Sequence, residues 1–204
     1  MSSRASAARA CMGRGAVPTR CRPGRLHHRR MDNTLVSDGA ARRREGGRPW
    51  LALLAWLALC YAVAAVGAAA SLNSAGIYDV LDRPAWAPPA SVFGPVWTAL
   101  YAMMAVAAWQ VWRARGWARG SGALLLFVLQ LVANALWTWL FFRWQQGALA
   151  FADVALLWLL LAATVVVFWR IRRSAGLLLL PYLAWVSFAC ALSWSIWQRN
   201  PQVL

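Results

Sequence analysis

Five stretches of about 20 mostly apolar residues, at roughly 50 to 70, 92 to 112, 122 to 142, 148 to 169 and 176 to 197, are the length that a bilayer core demands of a helix. Lipid offers the backbone no hydrogen-bond partner, so each N–H and C=O must be satisfied within its own helix. The connections are short and leave little chain for anything else. The expectation is an all-α integral membrane protein, a five-transmembrane-helix bundle occupying residues 49–201. Composition agrees, with 61% hydrophobic residues, fifteen tryptophans and no lysine.

The net charge of +15 is unevenly placed. Twelve of the 21 arginines precede Pro49, against Asp32, Asp38 and Glu45; the remaining chain carries nine arginines against Asp79, Asp82 and Asp153. Arginines beside a first membrane helix are accounted for by topology, so no nucleic-acid partner is expected. The second connection holds Arg113, Arg115 and Arg119, and the fourth holds Arg170, Arg172 and Arg173. On the other side Arg83, Arg143 and Arg199 stand singly. This asymmetry predicts a cytoplasmic N-terminus, with the first loop and the C-terminus on the opposite side of a bacterial cell membrane.

Residues 1–48 form a basic extension. The first thirty contain no acid and no sustained apolar period, which favours a disordered tail or a true start at Met31 over an organelle transit segment. Cys11, Cys21, His27 and His28 match no zinc-binding spacing, and no metal site is expected. Cys60 and Cys190 fall in different apolar segments and read as small buried residues.

Arg83 to Tyr101 is the stretch around which the spans are organised. Pro84, Pro88 and Pro89 fix φ and remove donors, so a stiff loop bearing Trp86 must run into a helix near Ser91, a suitable N-cap. Pro95 lies in the first turn, and Trp97 and Tyr101 follow at i and i+4 on one face beneath that lid. In the first span, Ala58, Ala62 and Ala65 offer a small-residue face for close packing. In the third, Gln130, Asn134 and Thr138 recur at i, i+4 and i+8 with Trp137 on the adjoining face; they serve either interhelical hydrogen bonds or a ligand cavity. Asp153 is the one carboxylate inside a span and is expected near the helix N-terminus or paired with Arg143. Pro181 is expected to kink the last helix, where Trp185, Ala189 and Ser193 share a face.

Arg83-Pro-Ala-Trp-Ala-Pro-Pro, Phe93-Gly-Pro-Val-Trp-Thr-x-Leu-Tyr101, Gln130-Leu-x-x-Asn134-x-x-Trp137 with Phe141-Phe142, and Pro181-Tyr-Leu-x-Trp185 ending in Trp197-x-x-Asn200 stand in this order. Together they resemble the tryptophan-rich sensory protein family (TspO/MBR), also called the translocator protein or peripheral benzodiazepine receptor family. The resemblance covers about residues 50 to 201. It implies a five-helix bundle, commonly a homodimer, whose cavity beneath the first loop binds porphyrins such as protoporphyrin IX. Carried over position by position, the ligand-binding residues are Trp86, Trp97, Tyr101, Asn134, Trp137 and Trp185. The chain departs from the family pattern at Ile77-Tyr78, where Trp-Tyr is frequent, at Arg83-Pro84, where Lys-Pro is usual, and at Ser193, where Asn is common. The sterol-recognition pattern proposed for the last helix wants a Tyr where this chain has Trp194, so sterol binding is not implied.

A porphyrin also suits the residues themselves. A flat macrocycle needs aromatic walls, and its propionates need a few donors. Both histidines lie in the tail, so a metal-free porphyrin fits better than histidine-ligated haem, and no cofactor is required. The favoured reading is a ligand-binding sensor acting on tetrapyrrole metabolism or stress responses. A transporter of porphyrins or other amphiphiles is the alternative. A conventional enzyme is disfavoured because the spans hold no nucleophile–base pair. Light-driven porphyrin breakdown would make Trp97 and Trp185 the candidate photoredox residues.

Overall fold

The computed structural model describes residues 49–71, 78 and 80–204. The readings made for residues 1–48, including Met31 and the tail's cysteines and histidines, lie outside the described residues, as does Ile77.

The described residues form helices and no strand. Helix α1 is Pro49–Ser71 and starts on a proline, whose missing N–H costs nothing in a first turn. A 3-10 turn, Ala90–Val92, leads into α2, Phe93–Thr138, which a π-helical turn, Trp139–Arg143, extends. Helices α3, Gly147–Ile171, and α4, Arg173–Arg199, complete the chain. Four segments are long and apolar enough to cross a membrane, Ala90–Arg143 being one of them with 54 residues. Five helices were expected; among the described residues four helical elements are found, one of which holds the second and third spans joined at Gly116 without an intervening loop.

That element is not straight. Gly116 alone within it has non-helical angles, φ 65° and ψ −176°, a conformation open to glycine and strained for residues with a Cβ. On a straight helix Tyr101 and Asn134 would lie about 50 Å apart at about 1.5 Å per residue. Their side chains are hydrogen-bonded at 3.1 Å. The element therefore turns back on itself at Gly116, and its legs, residues 93–115 and 117–138, pack side by side.

Two local expectations need correction. Ser91 sits inside the 3-10 turn, and α2 starts from Val92 with no side-chain cap. In α1, Ala58, Ala62 and Ala65 are exposed, while Trp56, Cys60, Gly67 and Ala70 are buried. A segment apolar on all sides gives no amphipathic stripe from which to choose its packed face.

The core runs between the legs of α2 and the pair α3–α4. Phe127 stacks on Phe168 with ring centroids 5.8 Å apart, and Tyr182, Met104 and Leu157 are fully enclosed. Arg172 alone separates α3 from α4, and its extended angles reverse the chain within one residue. A Cβ on Gly176 would come within 2.9 Å of Trp169, so this crossing needs glycine. Helix α4 continues through Pro181. Asp153 is buried with Oδ2 unpartnered and makes no ion pair with Arg143; among the described residues the ion pair found joins Arg199 to Asp82 at 3.6 Å.

Candidate ligand cavity

A cavity of about 410 Å³ opens between α1 and the two legs of α2. Trp97, Tyr101, Asn134 and Trp137 stand in its wall, with Phe93 and Phe142 beside them. Helix α1 contributes Tyr61, Ala64, Gly67, Ala68 and Ser71, and the first connection contributes Tyr78 and Ala90. None of the described lining residues is charged. The aromatic residues give it flat apolar faces, while the hydroxyls of Tyr61, Ser71, Thr98 and Thr138 and the Asn134 amide supply polar points.

The cavity has room because α1 presents small residues there, Ala64, Gly67 and Ala68, which leave volume unfilled even where the helices come close. An added Cβ at Gly67 would lie 3.4 Å from Thr138 Oγ1. Two polar contacts fasten the helices at its edges: the Tyr61 hydroxyl donates to the Thr98 carbonyl at 3.2 Å, and Trp139 Nε1 donates to the Val66 carbonyl at 3.2 Å.

Behind this wall runs a buried chain of hydrogen bonds. The Tyr101 hydroxyl donates to Asn134 Oδ1 at 3.1 Å; Asn134 Nδ2 donates to the Tyr182 hydroxyl at 2.6 Å; the Tyr182 hydroxyl donates to Gln130 Oε1 at 3.0 Å. Gln130 Nε2 ends the chain 3.9 Å from Met104 Sδ, a weak acceptor. The chain ties both legs of α2 to α4. Of the polar stripe on the third expected span, Gln130 thus serves interhelical bonding, Asn134 serves both bonding and lining, and Thr138 lines the cavity while donating to its own helix at the Asn134 carbonyl.

This arrangement sits within a recognisable chain. The TspO/MBR family model matches residues 48–198. The protein belongs to the TspO/MBR family. Its relatives include the tryptophan-rich protein TspO of Chlorobaculum tepidum, 38% identical over 154 residues, covering 74% of this chain and 97% of that protein. The tryptophan-rich sensory protein of Cereibacter sphaeroides is 38% identical over 151 residues, covering 74% and 92%. The human translocator protein is 36% identical over 125 residues, covering 60% and 74%. Family membership and the apolar helices make this an integral membrane protein with the lipid bilayer as its surroundings.

The six candidate site residues of this TspO/MBR chain divide into two groups. Trp97, Tyr101, Asn134 and Trp137 meet in the cavity, where Trp97 lies 5.6 Å from the Tyr101 ring and 6.0 Å from that of Tyr182. Trp185 and Trp86 do not line it. Trp185 belongs to a second, narrow space of about 20 Å³ and reaches the main wall through Phe93, 5.8 Å away. Trp86 is 50% exposed and sets its ring edge-on to Phe188 at 5.7 Å. Trp137 lines both spaces, and its indole N–H is buried without a partner.

Sequence reasoning missed the α1 wall and Tyr182. A lone tyrosine midway along an alanine-rich span was the available signal for Tyr61. For Tyr182 the signal was a hydroxyl at span depth with an amide to satisfy on a neighbouring helix.

Proposed function

We propose that this protein binds a metal-free porphyrin, or a tetrapyrrole of that kind, in the cavity between α1 and α2, and acts as a membrane sensor in tetrapyrrole metabolism or stress responses. The observation that carries the reading is the wall itself: Trp97, Tyr101, Trp137, Phe93 and Phe142 present flat aromatic surface around about 410 Å³, within the range of about 300–1,000 Å³ common for ligand sites. The Trp137 indole N–H is a donor without a partner in this wall. The hydroxyls of Tyr61, Ser71 and Thr98 already donate to the Thr98, Gly67 and Gly94 carbonyls and would serve a ligand's carboxylates by giving up those bonds. The two legs of α2 would each cross the bilayer, giving five crossings. Gln110 accepts a hydrogen bond from Ser174, which brings the arginine-rich ends of the second and fourth connections together; this supports the arginine-based orientation, with that end cytoplasmic. We further propose a homodimer.

Transport is the second reading, favoured by the sparse burial of the most apolar stretch of α1, most of which is not enclosed, against half of the corresponding stretch in the α2 segment. A wall so lightly packed can move to admit an amphiphile from the bilayer. Light-driven breakdown of the ligand would draw on Trp97, which touches the cavity, ahead of Trp185.

A dark titration of the purified protein with protoporphyrin IX, followed by tryptophan quenching, tests the reading. Saturable binding weakened by Trp97→Phe and by Asn134→Ala is expected. Binding that never saturates, or that ignores both changes, removes the porphyrin reading. Protoporphyrin flux into proteoliposomes then separates carriage from sensing, and a bound spectrum that does not change under illumination relative to free porphyrin excludes photochemistry.

A further inference from the structure

Asn200 closes the last motif of the chain and lies outside the cavity, yet its amide reaches 118 positions back in sequence. Its Oδ1 accepts the Asp82 backbone N–H at 2.9 Å, and its Nδ2 donates to the Asp82 carbonyl at 3.0 Å and to the Ile196 carbonyl at 2.8 Å. One side chain thus satisfies both main-chain groups of Asp82, as a neighbouring strand would. The Asp82 carboxylate makes a separate contact with Arg199 at 3.6 Å, between side chains 64% and 47% exposed, and such a pair adds little.

The segment held in this way is braced internally. The Tyr78 hydroxyl donates to the Pro88 carbonyl at 2.9 Å, the Arg83 guanidinium lies 4.6 Å from the Tyr78 ring centre, and the Ala87 N–H donates to the Pro84 carbonyl at 2.9 Å. Tyr78 and Ala90 are cavity-wall residues. A tether at Asp82 therefore acts on a stiff piece of chain, two members of which border the ligand space.

We propose that Asn200 is a positioning residue for the cavity cover: by gripping the main chain at Asp82 it holds Tyr78 and Ala90 in the wall and sets how long a bound amphiphile stays. The part concerning ligand residence rests on the porphyrin reading; the tether itself does not. Because the grip is on backbone atoms, Asp82→Asn removes the ion pair and leaves the tether, whereas Asn200→Ala removes the tether and leaves the carboxylate. Asn200→Asp keeps the acceptor for the Asp82 N–H and loses both donated bonds.

The test uses the full chain in lipid nanodiscs. Hydrogen exchange without ligand is followed over residues 80–92 and, as a check on the core, over residues 127–137, together with the dark dissociation rate of protoporphyrin IX. Asn200→Ala is expected to speed exchange in residues 80–92 and porphyrin release by about tenfold, with the core unchanged, as loss of two bonds that hold one segment implies. Asp82→Asn should stay within about twofold of wild type, the small effect of an exposed pair. Asn200→Asp should fall between, and it carries the test if the alanine variant does not fold. The proposal is overturned if removing the amide leaves exchange in 80–92 unchanged, if Asp82→Asn matches it, or if the core loosens equally. If the wild-type protein binds no porphyrin, the functional reading fails while the exchange comparison still decides the tether.

Discussion

The two faces of α2 are built on opposite terms. Toward α4, Tyr101, Asn134, Tyr182 and Gln130 are bonded in series and fully enclosed, so the interface is dense and its partners are fixed. Toward α1, the stretch beside the cavity presents Ala64, Gly67 and Ala68 with polar fastenings at its edges, and space remains between them, while nearer the start of α1 Trp56 packs edge-on to Phe127 and Trp109 Nε1 donates to the Pro49 carbonyl. In lipid the hydrophobic effect does not favour one apolar pairing over another, so hydrogen bonds and close packing decide which helices hold firmly. A membrane cavity needs both arrangements: one wall that does not yield, and one that leaves room.

The sharpest way to break this contrast is at Asn134, which belongs to both faces. Asn134→Leu strands the Tyr101 O–H and removes the bond that Tyr182 accepts, while Tyr182 keeps its bond to Gln130; it should cost about 2–3 kcal/mol, the upper range for a buried group left unpaired. Unfolding in detergent would measure the loss, and unchanged stability would mean that the bonded chain does not hold α4. Ala64→Phe should act on the other face alone. Porphyrin affinity is expected to fall at least tenfold, about 1.4 kcal/mol or more, while the melting temperature changes little; a matching loss of stability would show that α1 is held as firmly as α4. Trp97→Phe keeps an aromatic wall but loses area and the indole N–H, for an expected affinity loss of about 1 kcal/mol. Trp86→Ala, by contrast, should shift affinity by less than about twofold, since the ring packs on Phe188 away from the lining. Gln130→Leu should cost less, about 1 kcal/mol, because it removes one bond, leaving the Tyr182 O–H without that acceptor while the Tyr182 oxygen still accepts from Asn134.

Helix existence and the membrane class were legible because apolar length alone announces them. The aromatic wall on α2 was legible too, since Trp97 and Tyr101 share a helical face and Asn134 is a polar group at span depth. The α1 wall was hidden by uniform apolarity: an alanine stripe was expected to pack, and it faces outward while Gly67 packs. Trp86 and Trp185 were grouped with the others by resemblance, but their distance from the cavity depends on how a proline-rich segment and a distant helix come together. No local periodicity encodes that. That the second and third expected spans are joined with no loop between them turns on Gly116, whose neighbours Arg115 and Trp117 read as ordinary connection residues.

Gly116 and Arg172 each reverse the chain within a single residue, and this leaves no slack in the spacing between the segments they join. One residue inserted at either point would rotate everything downstream by about 100°, turning Asn134 away from Tyr101 in the first case and Tyr182 away from Asn134 in the second. Length at these positions therefore behaves like the spacing of teeth on a key. Lineages of such a protein would be expected to keep strict count across both reversals, so that the segments on either side stay in register.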